Sequence, residues 1–405
     1  MDRPSLSPWR FVVAFGVVSL FADMVYEGAR SIIGPYLATL GASALVVGLV
    51  AGVGEFIGYS LRLASGYLVV RTGRYWLWTI VGYALTVLSV PLIGVIGALA
   101  PALLLYGGER LGKAVRAPAK DTLLSYASSN VGRGSAFGLH QAMDQTGALL
   151  GPLLLAGVLA LHEDDYRLAF GVLIVPGLVV LGVLAWLRRR VPDPRTYEPA
   201  EATARPAGPR LRTALPAAYW QFVAVVAVLS CGVASFPLLA YHAQREGLLG
   251  DALVPVLFAV AMAVDGASGL VFGRLYDRRG HGVLFAVPVA AGVAAVAFTD
   301  SAVLLWVGVA VWGVVNGVLD STVKAVVAER VPGHLRAPAF GWLALVRGLG
   351  LLVAGALLGA IYDVSRGWVI VTVVVLNVTA LIGLAAVLSG RTGRRTGPDS
   401  ASPAP

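Results

Sequence analysis

The chain has 405 residues, of which 58% are hydrophobic and only 13% charged, with a formal net charge of +9. Soluble domains carry about 25% charged residues, and the mean hydropathy here is +0.79, so the composition excludes an ordinary water-soluble globule. The basic residues are scattered over connections between apolar stretches, with no aromatic-interleaved basic domain, which makes them topology signals with lipid as the partner and excludes nucleic acid.

One crossing of a hydrocarbon core of about 30 Å takes about 20 apolar residues. Predicted spans cover 11–38, 43–69, 75–97, 101–127, 135–161, 167–190, 217–243, 252–276, 281–299, 302–328, 338–362 and 368–388. The fold class is therefore an all-α membrane protein with twelve transmembrane helices. The stretch after Arg10 runs apolar beyond the length of a cleavable signal, so no cleavage is expected. The single cysteine, Cys231, lies within a span, and no Cys/His spacing suits zinc, so no disulfide, metal or cofactor is expected.

Twelve spans put both termini on one side. Arg3, Arg10, Arg71, Arg74, Arg133, the run Arg188 to Arg190, Arg278, Arg279, Arg330, Arg336, Arg391, Arg394 and Arg395 mark that side, and the positive-inside rule makes it the cytoplasm of an inner (plasma) membrane. The opposite loops are poor in basic residues, as in His162-Glu163-Asp164-Asp165. Trp9, Trp76, Trp78, Trp186, Trp220 and Trp368 fall near span ends, where headgroup anchoring is expected.

Between Pro192 and Pro216 the composition turns to Pro, Ala, Arg, Glu and Thr, too polar and broken to cross a bilayer. The expected organisation is an N-terminal six-helix bundle over 1–190, a cytoplasmic linker over 191–216, a C-terminal six-helix bundle over 217–390 and a disordered tail over 391–405. Two internal matches support halves of common origin. GYLVVRTGR from Gly66 to Arg74 corresponds to GRLYDRRGH from Gly273 to His281, and RGSAFG from Arg133 to Gly138 corresponds to RAPAFG from Arg336 to Gly341, each opening the fifth span of its half.

These residues resemble the major facilitator superfamily, whose signature between the second and third helices is G-x-L-x-D-R-x-G-R. Gly273, Leu275, Asp277, Arg278 and Gly280 match it, while the first copy keeps Gly66, Leu68, Arg71, Gly73 and Arg74 but has Val70 at the acidic position. The resemblance implies a fold of two pseudo-symmetric six-helix bundles, a monomer, and a cytoplasmic latch in which Asp277 carries the larger share. Gly147, Gly151 and Pro152 resemble a motif enriched in the family's exporters, with close helix packing as the alternative reading. The segment FADMVYEGARS resembles a prokaryotic subgroup and implies no particular cargo.

A charge at mid-bilayer costs about 2.5–3.5 kcal/mol, so intramembrane charges are candidate functional residues. Asp23, Tyr26, Glu27 and Arg30 are spaced three, four and seven apart, which places them on one helical face. The second span adds Glu55 and Arg62; the fourth adds Glu109, Arg110, Lys113 and Arg116; the fifth adds His140, Gln141 and Asp144. Lys120 and Asp121 lie near a span end, where solvation is expected. Asp23, Glu27, Glu55, Arg110, His140 and Asp144 are the candidates for proton coupling, and the others for the substrate cavity. The second half offers Asp265, Asn316, Asp320 and Arg347, with Phe236, Pro237, Tyr241 and Trp342 as a more apolar wall. Aligning the repeats sets Arg347 opposite Asp144, so a pair between them is expected as a gate or coupling element.

The leading expectation is a proton-coupled exporter of a small organic molecule, with an importer of a metabolite as the close alternative. A sensor that binds without transport is a third reading. The absence of H-E-x-x-H, a nucleotide-binding loop or a metal cluster argues against a membrane enzyme.

Overall fold

The computed structural model describes residues 6–128, 131–163, 165–197, 215–332 and 335–389, and every regular element among them is helical. The first half supplies α1 (Pro8–Thr39), α2 (Ala44–Thr72), α3 (Tyr75–Ile96), α4 (Leu99–Ser128), α5 (Arg133–Leu161), α6 (Tyr166–Val172) and α7 (Ile174–Arg190). The second supplies α8 (Ala217–Cys231), α9 (Phe236–Arg245), α10 (Leu253–Arg279), α11 (Ala286–Ala294), α12 (Ala302–Arg330), α13 (Arg336–Val364) and α14 (Arg366–Ser389).

Local chemistry sets the boundaries. Ser7, Ser43, Asp165 and Ser301 cap helix starts by accepting from backbone N–H groups three residues on. Gly73 ends α2 in the left-handed region at φ +63°, a conformation that favours glycine. The signature segments are therefore mostly helix: Gly66 to Thr72 are the last turns of α2, and Gly273 to Arg279 the last turns of α10.

Ten segments of the described residues are long and apolar enough to cross a membrane. One of them, Leu253–Phe298, is 46 residues long and holds two predicted spans, joined by a 3-10 segment at Gly280–Phe285. Helix α4 is not among the ten, because it carries Glu109, Arg110, Lys113, Arg116, Lys120 and Asp121.

The predicted span over 217–243 is broken. Helix α8 stops at Cys231 and α9 begins at Phe236, with Gly232, Val233, Ala234 and Ser235 between them. Backbone freed inside a membrane has to find partners. Trp312 Nε1 donates to the Ala234 carbonyl at 2.8 Å and Asn377 Nδ2 to the Gly232 carbonyl at 2.9 Å. The break was written in the sequence as a helix stop at Gly232 and a fresh start at Ser235 with Pro237 in the first turn.

Helices α1 to α7 form one packed set, through α1 on α5, α3 on α4 and α2 on α4, and α8 to α14 a second, through α10 on α12 and α8 on α13. The sets meet chiefly where α2 packs on α13, α5 on α10, and α1 on α9. In the repeat the first two are second-on-fifth pairings, one in each direction, and the third sets the first crossings of the two halves together, as a two-fold related architecture requires.

Two expectations need correcting here. Trp76 is not a lipid-facing anchor: it is 7% exposed and donates to the Val191 carbonyl at 3.0 Å, whereas Trp9, Trp186, Trp220 and Trp368 are exposed. The start of the linker is not loose either. Pro194–Tyr197 form a 3-10 turn, and Tyr197 is buried against Phe11 with its hydroxyl donating to the Leu6 carbonyl. Residues 198–214, and the tail from 390 onward, lie outside the described residues.

Candidate substrate cavity

A cavity of about 510 Å³ lies between the two sets. Its wall takes residues 23–30 of α1, 51–62 of α2, 110–113 of α4 and 141–148 of α5. From the second set come the α8–α9 break, Met262 and Asp265 of α10, 312–323 of α12 and 340–351 of α13. On α2, α5, α12 and α13 the lining runs from the middle of the helix toward the end of the molecule where α1 begins.

The other end is shut by backbone contact between the sets. A Cβ at Gly52 would lie 2.9 Å from the Leu351 carbonyl oxygen, one at Gly359 2.6 Å from that of Ala44, and one at Gly34 2.9 Å from the Pro237 carbonyl carbon. Glycine is required at these crossings because no side chain fits between the helices.

The α1 face forms as its spacing predicts: Asp23, Tyr26, Glu27 and Arg30 all line the cavity. Arg30 bridges Glu27 at 3.6 Å and Glu55 at 3.3 Å, and its guanidinium lies 5.9 Å from the Phe258 ring of the second set. Lys113 stands 3.8 Å from Glu27 and 3.8 Å over the Tyr26 ring. Arg110 lies 3.4 Å from Glu55 and 3.1 Å from Glu109, and donates to the Tyr106 hydroxyl at 2.8 Å. In a medium of low polarity such interleaving is what keeps buried charges ionised.

Gln141, Asp144, Arg62, Asp265, Asn316, Asp320 and Arg347 line the cavity as well. Glu109, Arg116 and His140 do not; they stand behind the wall. Arg116 is 3% exposed and sandwiched by rings, 4.1 Å from Tyr83 and 5.5 Å from Tyr26, a cation–π seat rather than an ion pair. His140 receives Lys120 Nζ at 2.9 Å and Ser19 Oγ at 3.2 Å, with Asp144 3.8 Å away. Lys120 is thus a half-buried partner of His140 and not a fully solvated end residue, while Asp121 is exposed as expected.

Asp144 and Arg347 share the cavity but form no ion pair. Arg347 Nη1 lies 2.7 Å from Asp320 Oδ1, one helix over in its own set, and its guanidinium reaches across to the Tyr59 ring of α2 at 5.5 Å. Phe236 and Tyr241 are packed in the core and Trp342 lies against Trp220, so the apolar wall is instead Met262, Trp312, Leu319, Val323, Phe340 and Leu343.

Of the signature residues, Gly73 makes its turn and Gly66 approaches Pro118, but Gly273 has open space around it. Gly280, also at positive φ, ends α10. Asp277 and Arg278 are exposed, and Asp277 makes no ion pair or hydrogen bond among the described residues. Arg71 is exposed and Arg74 precedes α3 as its cap residue. Gly147 and Gly151 press α5 onto α1: a Cβ on either would fall 2.9 Å from Asp23 Cβ or 2.8 Å from Met24 Cα, and Pro152 follows inside the helix.

The Major Facilitator Superfamily model matches residues 15–355. The chain belongs to the Major Facilitator Superfamily. It is 48% identical over 387 residues to the uncharacterised protein Rv2265 of Mycobacterium tuberculosis, covering 95% of this chain and 94% of that one. It is 24% identical over 365 residues to the MFS-type transporter MJ1317 of Methanocaldococcus jannaschii, covering 87% and 89%. Among solved structures, a mutant of the nucleoside transporter NupG aligns with a TM-score of 0.78 at 11% identity over 93% of this chain and 99% of that one. A bacterial homologue of the human lysosomal transporter Spinster, inward-facing and occupied, gives 0.73 at 15% over 97% and 100%. At such identities the structural likeness carries the fold alone. The chain is an all-helical, multi-pass membrane transporter of that fold.

Sequence reasoning missed the contacts at the closed end altogether. Asp363 accepts backbone N–H groups of Ala44 and Leu45 across the two sets. Its only signal is an acid just beyond a predicted span end.

Proposed function

We propose that this transporter exports a small organic molecule in exchange for protons, by alternating access around the central cavity. The observation that supports it is a charged cavity between two helix sets, shut at one end by glycine crossings, with lining that extends toward the other. In this reading the chain crosses the membrane twelve times, counting α6 with α7 and α8 with α9 as single crossings, α4 as one, and Leu253–Phe298 as two. The bundles 1–190 and 217–390 are the moving bodies, both termini are cytoplasmic in the inner membrane, and a monomer suffices because one chain completes the cavity.

The cavity then faces the cytoplasm, the state in which an exporter loads. Asp23 and Asp144 are the proton carriers, with Glu27 and Glu55 paired to Arg30, Arg110 and Lys113. One proton entering down 100 mV supplies about 2.3 kcal/mol, enough for a roughly fiftyfold gradient of a neutral solute. Nothing in this cycle calls for an enzymatic step, a metal or a cofactor.

Proteoliposomes with an imposed pH gradient and a pH-sensitive dye test this reading. Addition of a transported compound releases a proton flux opposite to the compound, and Asp23→Asn or Asp144→Asn abolishes it. Flux of both in the same direction makes the protein an importer. Binding with no movement of any compound makes it a sensor.

A further inference from the structure

The charges on the cavity wall do not balance when each is matched to its partners. Arg30, Arg110 and Lys113 are engaged by Glu27 and Glu55, and Arg347 by Asp320. Among the described residues Arg62 alone of the lining cations has no ion pair, and it stands two turns along α2 from Glu55, 5.9 Å from the Tyr59 ring. On the acidic side Asp23 and Asp265 have no cation within ion-pair distance among the described residues, and Asp144 has only His140. Asp23 is 6% exposed, lines the cavity and has no hydrogen-bond partner among the described residues.

Asp265 differs from the other two in lying on the second set. The charged groups that face it are Asp320, Glu27, Arg30 and Arg347, and each of these is already matched to another. Met262, three residues before Asp265 on α10, lines the cavity, as does Trp312 of α12, whose ring is fixed through its bond to Ala234. A half-buried carboxylate without a counter-charge of its own is unfavourable, and aromatic rings attract cations.

We infer that the cargo of this cavity is an organic cation whose positive group seats at Asp265. This deepens the transporter reading and rests on it. Asp23 and Asp144 on the first set hold protons while Asp265 on the second holds the cargo, so each set carries one of the exchanged species. The cargo cation completes the wall charge that protein side chains leave open.

Titration calorimetry on the purified full chain in detergent tests it, with tetraphenylphosphonium as the probe and the near-isosteric anion tetraphenylborate as its control, each corrected for protein-free micelles. Saturable binding of the cation is expected, weakened about tenfold or more by Asp265→Asn, and retained by Asp265→Glu, with thermal melting confirming that both variants fold. Equal binding of the anion, an unchanged affinity in Asp265→Asn, or no saturable binding of the cation each overturns the inference. The proteoliposome assay separates this from the reading beneath it. Proton-linked transport of anions or neutral compounds alone leaves the transporter and removes the cationic cargo, whereas Asp265-dependent cation binding without transport does the reverse.

Discussion

Both carboxylate oxygens of Asp363, at the end of α13, accept backbone N–H groups at the start of α2, one from Ala44 and one from Leu45, each at 3.0 Å. These are among the donors that a helix start leaves without internal partners, and the carboxylate also meets the positive end of the helix dipole. Because α2 and α13 belong to different sets, the bond ties the closed end of the cavity across the interface and exists only while that end is shut.

Asp363→Ala removes this tie and favours the opposite state. Loss of a helix cap costs about 0.5–2 kcal/mol, so the ratio of the closed to the open form of this end falls by about two- to thirtyfold. Spin labels at Leu161→Cys and Val364→Cys, both exposed at that end, report it in a Cys231→Ser background. The long-distance population rises in Asp363→Ala. An unchanged distribution means the cap does not hold the state.

Glycine substitutions separate the interface from the interior. Gly52→Val sets a side chain against Leu351 and Leu352 of the other set, so it blocks closure of that same end while each set keeps its own packing. Gly112→Val acts within the first set, where a Cβ would lie 2.7 Å from Thr86 Oγ1 and 2.8 Å from its nitrogen. Overpacking costs about 1–3 kcal/mol. Gly112→Val therefore lowers the melting temperature, whereas Gly52→Val abolishes transport with little change in melting. Equal melting losses contradict the assignment.

The α1 face was legible because three- and four-residue spacing fixes which side chains share a face, and charged groups stand out in an apolar span. The cavity's far wall was less so. Arg347 finds Asp320, 27 residues away on α12, and Lys120 finds His140 on α5, pairings that depend on which helices touch and not on any local period. Repeat alignment puts Arg347 at the position equivalent to Asp144, but alignment carries no information about the nearer acid. The Asp363 cap was illegible because its partner is backbone.

Arg110 holds the first set's charges together through Glu55, Glu109 and Tyr106. Arg110→Ala leaves Glu109, 1% exposed, without its nearest cation, a loss of about 3–5 kcal/mol. Arg110→Lys restores little, since one ammonium cannot reproduce the guanidinium's separate contacts. Glu55→Gln is milder, because Glu55 is 21% exposed to the cavity. Melting curves in detergent are expected to rank the wild type above Glu55→Gln, then Arg110→Lys, then Arg110→Ala; Glu55→Gln falling lowest contradicts this account.

Arg347 sits at the meeting of the two sets, bonded to Asp320 at 2.7 Å and 5.5 Å from the ring of Tyr59. Residues in contact show coupling energies of about 0.5–3 kcal/mol, and residues without shared partners show almost none. Double-mutant cycles on thermal stability, with Arg347→Gln combined in turn with Asp320→Asn and with Asp144→Asn, therefore give a favourable coupling for the first pair and none for the second. Tyr59→Leu combined with Arg347→Gln gives a smaller coupling, of the size of a partly exposed cation–π contact, about 0.5–1 kcal/mol. A coupling between Arg347 and Asp144 larger than that with Asp320 means that the pair forms in the state populated in detergent, and that Arg347 exchanges Asp320 for Asp144 as the two sets rock.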